Sequence, residues 1–205
     1  QFKKSLGNAA ELKPTDVFYY NNKLFVANML KHRVEVYNTK NYNHLFNLPN
    51  ANYSNKDPGF MNSPINIFVQ NDTLYVSDFG AFKIKKYTLD GEFVDSVGSY
   101  GRGLGQFVRP KGIAVDKHDI LYVVDAGFEN VQMFNAAGQL LMFFGGTYSG
   151  PGDMWLPAKV TIDYDNLEYF EEYVDKRFDL KYLIFVTNQY GPDKINVYGY
   201  VEKKK

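Results

Sequence analysis

The chain has 205 residues, 45% hydrophobic and 22% charged, and its 23 basic and 23 acidic side chains leave a formal net charge of zero. A single domain with a sizeable core fits that length, and neutrality argues against nucleic acid, whose phosphates require a basic face. Cysteine is absent, which excludes disulfides, thiolate catalysis, thiolate metal sites and haem attached through cysteine in this chain.

No apolar run reaches the roughly 18 residues that span a bilayer, and no signal-peptide pattern is visible. Gln1 is not an initiator methionine, so the chain reads as processed or truncated at its start. Tyrosine and phenylalanine, 17 of each, suit strands that bury one or both faces. The basic ends, Lys3-Lys4 and Lys203 to Lys205, read as solvated.

Phe2-Lys3-Lys4-Ser5-Leu6-Gly7 matches Phe93-Val94-Asp95-Ser96-Val97-Gly98 in pattern, so residues 1–7 are expected to form an outer strand of a neighbouring or closing repeat. After it a unit recurs four times. Each copy starts at a proline, Pro14, Pro64, Pro110 or Pro157, with separations of 50, 46 and 47 residues. A first strand follows the proline: Asp16 to Tyr19, Ile65 to Phe68, Gly112 to Val115, and Lys159 to Ile162. Turns at Asn21-Asn22-Lys23, Gln70-Asn71-Asp72 and Lys117-His118-Asp119 lead into an apolar second strand that closes on Asn28, Asp78, Asp125 or Asn188. A third strand ends on an aromatic 9, 9, 9 and 10 residues later, at Tyr37, Tyr87, Phe134 and Tyr198. Tight turns at Asp90-Gly91 and Ala137-Gly138 precede fourth strands at Phe93 to Gly98 and Leu140 to Gly145, and glycine-rich links follow.

Four short strands at this period predict an all-β chain, a β-propeller of four-stranded antiparallel blades. The blades span about 8–59, 60–107, 108–155 and 156–205. The last is expected to run out at Tyr200-Val201-Glu202, before a full fourth strand. It also carries an insertion: its proline and strand-end residue are 31 apart, against 15 in the third copy. The added residues run from about Tyr164 to Leu180. Leu167, Phe170, Tyr173 and Val174 recur at helical spacing there, with Glu168, Glu171, Glu172 and Asp175 on other sides. A short amphipathic helix capped by Asp165 is expected. It either packs on the propeller's own face or docks a partner through Phe170 and Tyr173, since aromatics dominate binding hot spots.

The third copy, Phe107-Val108-Arg109-Pro110-Lys111-Gly112-Ile113-Ala114-Val115-Asp116 through Leu121-Tyr122-Val123-Val124-Asp125 to Val131-Gln132-Met133-Phe134, resembles an NHL repeat. The other copies are looser. The first lacks the glycine before its apolar strand, and the last has the insertion. The chain is similar in particular to bacterial six-bladed NHL propellers of exported or surface-associated type. With four blades legible, two closures compete. Residues 2–7 complete a four-bladed ring, or the chain is the C-terminal two-thirds of a six-bladed one; the second is favoured. The resemblance implies an extracytoplasmic place, with a multihaem cytochrome assembly as the partner class.

Candidate chemistry is sparse. His32, His44 and His118 occupy different places in the repeat, so a shared zinc or acid–base site is not expected. Asn28, Asp78, Asp125 and Asn188 hold equivalent positions. They either hydrogen-bond local backbone and start turns or offer a ring of oxygens to a hard cation such as calcium. Asp78 and Asp125 are the metal candidates, and Asp116 and Asp163 have the same status. Some propeller lactonases and esterases hold a central metal in that manner, and peptide-amidating lyases share the fold. Trp155, in a link, is expected to pack between blades, with an exposed anchor as the alternative. Asn52-Tyr53-Ser54 and Asn71-Asp72-Thr73 match the glycosylation acceptor pattern.

These features point to a non-catalytic, protein-binding scaffold with no cofactor. The alternative is a calcium-dependent propeller hydrolase or lyase. RNA binding, found in some NHL proteins, fits poorly with a neutral chain.

Overall fold

The computed structural model describes residues 4–50 and 52–204. Strands in these residues form four antiparallel sheets, each in strict chain order. The first sheet is β1 (Pro14–Tyr20), β2 (Lys23–Asn28), β3 (Arg33–Asn38) and β4 (His44–Leu48). The second is β5 (Pro64–Gln70), β6 (Thr73–Asp78), β7 (Lys83–Thr88) and β8 (Phe93–Val97). The third is β9 (Pro110–Val115), β10 (Leu121–Asp125), β11 (Asn130–Phe134) and β12 (Leu140–Gly145). The last has three strands, β13 (Pro157–Asp163), β14 (Phe178–Asn188) and β15 (Ile195–Lys203).

Local chemistry sets this order. Asn21-Asn22 and Asn71-Asp72 form the two-residue loops between first and second strands, with φ of 46° and 58°, and 47° and 55°. Two successive positive φ values suit the right-handed twist of a hairpin, and Asn and Asp tolerate them. Gly91 and Gly138 take φ of +92° and +76° in the turns before the fourth strands. Each proline starts its strand, and three of them stand just before a register shift: Pro14 pairs with Asn28, Pro64 with Asp78 and Pro157 with Asn188. Proline donates no ladder hydrogen bond, so a strand start beside a bulge is where it costs least.

The chain divides into two compact units, residues 1–110 and 111–205. In the first unit, Phe25, Ala27, Val34 and Val36 of the first sheet form one buried cluster with Ile67, Val69, Leu74 and Val76 of the second, joined by Leu48, Met61 and Tyr87. Phe18 and Phe68 meet at 4.8 Å above it. The two sheets are also stitched by polar contacts. Thr15 Oγ1 donates to the Pro64 carbonyl at 3.0 Å, and Asp16 Oδ2 accepts from Ile67 N at 3.0 Å and Asn66 Nδ2 at 3.2 Å.

In the second unit, β9 and β13 approach so closely that only glycine fits at 112. A Cβ there would lie 2.5 Å from Lys159 Cα and 2.7 Å from the Ala158 carbonyl oxygen. Tyr122 and Tyr182, both buried, join their hydroxyls at 2.5 Å between the same two sheets. Among the described residues no helix is long and apolar enough to cross a membrane.

Two expectations need correction. Of the opening segment, residues 1–3 lie outside the described residues and residues 4–7 carry no strand. The insertion is helical as expected, but as two short 3-10 helices, Leu167–Tyr169 and Glu171–Tyr173, and not as one continuous amphipathic helix. So short a segment offers too few hydrogen bonds to offset the cost of α-helix nucleation. Asp163 rather than Asp165 organises its start: Oδ1 accepts from Asp165 N at 2.7 Å and Asn166 N at 3.1 Å, and Asn166 Nδ2 donates to Oδ2 at 2.6 Å. The insertion ends earlier than expected, because β14 begins at Phe178.

Gly112→Ala is expected to lower unfolding stability by about 1–3 kcal/mol through backbone overpacking. Gly150, where an added methyl group would meet nothing within 4 Å, is the control: Gly150→Ala should leave the unfolding free energy within roughly 0.5 kcal/mol of the parent.

Candidate functional site

The strand-end Asn and Asp side chains are buried. In three sheets they tie down the link that precedes their own sheet. Asn28 Nδ2 donates to the Glu11 carbonyl at 2.8 Å, and its Oδ1 accepts from Lys13 N at 3.1 Å. Asp78 accepts from Ser63 N at 2.7 Å and Asn62 N at 2.8 Å. Asn188 Nδ2 donates to the Asp193 carbonyl at 2.8 Å, and its Oδ1 accepts from Trp155 N at 3.3 Å. A backbone bond runs alongside each time: Met29 N to Lys13 O, Phe79 N to Ser63 O, and Gln189 N to Leu156 O, at 3.0–3.1 Å. The residues just before the proline are therefore held from two sides. Asp125 Oδ1 accepts from Gly127 N at 2.7 Å and starts the turn after β10.

A second buried polar position, not singled out from the sequence, backs this series. Glu35, Lys85, Gln132 and Asn196 all lie two residues before the third-strand aromatic and are all buried. Asn28 Nδ2 donates to Glu35 Oε1 at 2.9 Å, Lys85 Nζ lies 3.0 Å from Asp78 Oδ2, and Asn188 Nδ2 donates to Asn196 Oδ1 at 3.3 Å. The aromatic hydroxyls finish the network: Tyr37 OH donates to Glu35 Oε2 at 2.5 Å, Tyr87 OH to the Gly59 carbonyl at 2.9 Å, and Tyr198 OH to the Gly152 carbonyl at 2.7 Å. The signal is legible once the four copies are superposed: a polar residue at one fixed distance before the third-strand aromatic.

Charge follows geometry here. Burial disfavours the ionised form of Glu35, but hydrogen bonds from Tyr37, Arg33 and Asn28 outweigh it and hold the carboxyl below its ordinary value. Burial, then the Glu35 bond, pushes Tyr37 up to about 12. Asp78 and Lys85 form a buried ion pair, with side chains 0% and 6% exposed.

This is a poor fit to calcium. Both Asp78 oxygens serve backbone donors, and one also faces the Lys85 ammonium, whereas calcium takes 6–8 oxygens. Among the described residues no group of three or more His, Asp or Glu is placed to hold a metal ion. Asp116 accepts from His118 N at 2.8 Å and Ile120 N at 2.9 Å, which shapes the turn before β10.

The histidines are exposed, and the His32 ring meets the Asn62 carbonyl and the Phe60 ring in the link into the second sheet. His32 takes φ of 54° after the 3-10 turn Met29–Lys31, a position filled by Phe82 in the second sheet, so it serves as a turn residue. His44 opens β4, at the other end of β3 from His32, and its Nε2 lies 2.9 Å from Asn47 Oδ1.

The last sheet carries a different kind of site. Its face copies the face of the first sheet, with Phe185, Thr187, Ile195 and Val197 in the places of Phe25, Ala27, Val34 and Val36. In the first sheet all four are buried under the second. Here Ile195 is 59% and Val197 39% exposed, and the insertion covers part of the remainder. Phe170 packs edge-on against Phe185 at 6.0 Å. Beside it opens a groove of 720 Å³, floored by Leu180, Leu183, Val197 and Val201 and walled by Phe170 and Tyr173. Tyr173 is 78% exposed. Phe170 thus packs on the sheet, while Tyr173 stands at the mouth.

Trp155 is not in that groove, and it is not packed between blades. It is 45% exposed and stacks on Tyr148 at 6.0 Å. The groove floor was missed because it lies on an extension. After Tyr198 the alternation continues through Gly199-Tyr200-Val201, where the other copies turn.

No protein-family model and no curated protein matches the sequence. Solved structures do. The chain is similar over 99% of its length to hydrazine synthase of Kuenenia stuttgartiensis, with a TM-score of 0.60 and 12% identity, and it covers 53% of that chain. Virginiamycin B lyase of Staphylococcus aureus, in a catalytically inactive variant with quinupristin, gives a TM-score of 0.60 at 15% identity over 97% of this chain and 57% of the other. The computationally designed Ika4 protein gives 0.53 at 10% identity, over 94% and 93%. The chain therefore spans about half the length of the hydrazine synthase and somewhat more of the lyase. Likeness at these identities is likeness of fold. Together with the repeated sheet order, it makes the chain an all-β protein of the β-propeller class.

The polar network yields a charge-swap prediction. Lys85→Glu sets a second carboxylate against Asp78 and should cost about 3–5 kcal/mol. Asp78→Asn with Lys85→Glu copies the Asn28–Glu35 pair of the first sheet, with Lys83 in the place of Arg33. The double variant should regain most of that loss in urea unfolding, and a double variant as unstable as Lys85→Glu contradicts the pairing.

Proposed function

We propose that this chain is a protein-docking module, a propeller scaffold that receives a partner in the groove between its insertion and β14–β15. The observation that carries this reading is the groove itself: 720 Å³, with an apolar floor and a largely exposed tyrosine at its mouth. Exposed aromatics beside apolar pockets are the usual anchors of protein interfaces. The strand-end polar groups are committed to holding links and turns, and the three histidines stand apart, His32 and His44 at opposite ends of β3 and His118 in a turn of the third sheet, so neither set supports an acid–base or metal mechanism.

The repeat pattern supports reading the propeller as NHL type. The NHL resemblance supports an extracytoplasmic place and a multihaem cytochrome as partner, in which case this chain docks and does not carry electrons. Likeness to a hydrazine synthase over about half of that chain supports membership of a larger, multi-subunit particle. A second reading, a metal-dependent lyase or hydrolase, draws on the likeness to virginiamycin B lyase, which is a likeness of fold.

Native mass spectrometry of the protein from its source, with an absorption spectrum of the same fraction, tests the proposal. A heteromeric particle with a haem band is expected. Phe170→Ala with Tyr173→Ala should weaken partner association roughly 10- to 100-fold while circular dichroism and thermal midpoint stay close to the parent. Recovery of the chain without a partner protein, or unchanged association of the folded double variant, contradicts the docking reading.

A further inference from the structure

We infer that the first unit holds a binding site for a small organic oxyanion, a phosphate ester or a carboxylate, between the turn that joins β2 to β3 and the link that leads from β4 to β5. The docking reading concerns the last sheet, so either can fail without the other.

The cavity measures 470 Å³, within the range of small-molecule sites. The turn presents Lys31, His32 and Arg33 to it in succession, and the link supplies Tyr53 and Phe60. Among the described residues no acidic side chain lines it.

The repeat itself does not call for this basic run. His32 takes φ of 54°, and the same turn position is filled by Phe82 at 55° and by Glu129 at 57°. The residues on either side are Ala81 and Lys83 in the second copy, and Phe128 and Asn130 in the third. The turn is therefore made without three consecutive basic residues. The link departs from its counterparts as well: residues 49–63 join β4 to β5, a longer stretch than 98–109 or 146–156.

Both sides of the cavity are held by the sheets behind them. The Gly59 carbonyl accepts from Tyr87 OH at 2.9 Å, and the Phe60 carbonyl accepts from the buried Lys85 ammonium. Asp78 fixes the N–H groups of Asn62 and Ser63. On the turn, Arg33 Nε and Nη2 donate to Glu35 Oε1 at 3.0 and 2.6 Å, and Lys31 Nζ lies 2.7 Å from Glu11 Oε2. His32 ties the two sides together through the Asn62 carbonyl and the Phe60 ring. Walls held in this way lose little freedom when a ligand enters.

What these contacts leave over is donors. Lysine and arginine carry N–H groups and no acceptor. Arg33 spends one edge of its guanidinium on Glu35, and its Nη1 has no partner among the described residues. Lys31 spends its ammonium on a single exposed carboxylate. Asn47, which also lines the cavity, has its Oδ1 engaged by His44 Nε2. Glu11 and Glu35, which balance the two cations, are not lining residues. Donors in excess call for a group made of acceptors, and an oxyanion also answers the charge. Tyr53 and Phe60 set aromatic surface beside these donors, which suits an oxyanion carried on an apolar body.

Amide nuclear magnetic resonance of the full chain at low salt, titrated with phenyl phosphate, benzoate, inorganic phosphate and benzyl alcohol, tests the site. Phenyl phosphate or benzoate should bind saturably and shift the signals of Lys31, His32, Arg33 and Phe60, and the tighter of the two names the headgroup. Inorganic phosphate should bind roughly tenfold more weakly, and benzyl alcohol, which carries no charge, should not bind. Lys31→Glu should weaken the aromatic anion roughly tenfold. Glu11→Gln, which frees the same ammonium, should tighten it about two- to threefold. Circular dichroism checks that both variants are folded. No saturable binding, shifts confined to other residues, or benzyl alcohol or inorganic phosphate binding as tightly as the aromatic anions overturns the inference. So do two folded variants that leave the affinity unchanged or move it in the same direction.

Discussion

One constraint organises the chain: at the end of each second strand a buried Asn or Asp must find hydrogen-bond partners, and in the first, second and last sheets Asn28, Asp78 and Asn188 find them in the link that leads into their own sheet. There the side chain and a parallel backbone bond together clamp the residues just before the proline. Leaving such a group unpaired costs the full desolvation of a buried polar atom. The clamp thus closes each sheet around its own link and sets where the next stretch of chain starts. The proline follows because the clamped N–H is the last that the link needs to offer, and the first strand can then begin beside a bulge.

From this the division of labour in the molecule follows. The polar side chains that in another protein could gather into a catalytic or metal centre are dispersed, one set per sheet, and each is occupied locally. Glu35 answers Asn28, Lys85 answers Asp78, and Asn196 answers Asn188. In the docking reading, contact with other molecules falls to the apolar groove on the last sheet, where the insertion and the lengthened β14–β15 hairpin break the repeat. The repeated parts build the scaffold, and the irregular part carries the proposed binding surface.

The architecture was legible in the sequence because it is written four times. The proline spacing, the strand-end Asn or Asp and the aromatic nine or ten residues later are local signals with local causes. Asn-Asn and Asn-Asp turns, Asp-Gly turns and apolar alternation all agree with the observed strands. The insertion was legible as an insertion, and Phe170 stood out as an aromatic that could touch the sheet. Its conformation was not legible, since helical spacing over so few residues cannot decide between an α-helix and two 3-10 turns when Asp163 reshapes the entry. Trp155 was legible only as two alternatives, packing between blades or an exposed anchor; the turn at Gly191 leaves room for its half-exposed ring to lie on Tyr148. The groove floor depends on strand length beyond the repeat, which the repeat by its nature does not predict.

The claim that the strand-end carboxylates hold links and turns and not metal is tested most directly by thermal unfolding of the whole chain in millimolar calcium and in excess chelator. Coincident midpoints are predicted, because Asp78 is already paired with Lys85 and two backbone donors. A midpoint raised by calcium on the order of 5 °C or more, the shift expected when a ligand binds the folded state well above its dissociation constant, would contradict the account and restore the metal-dependent enzyme.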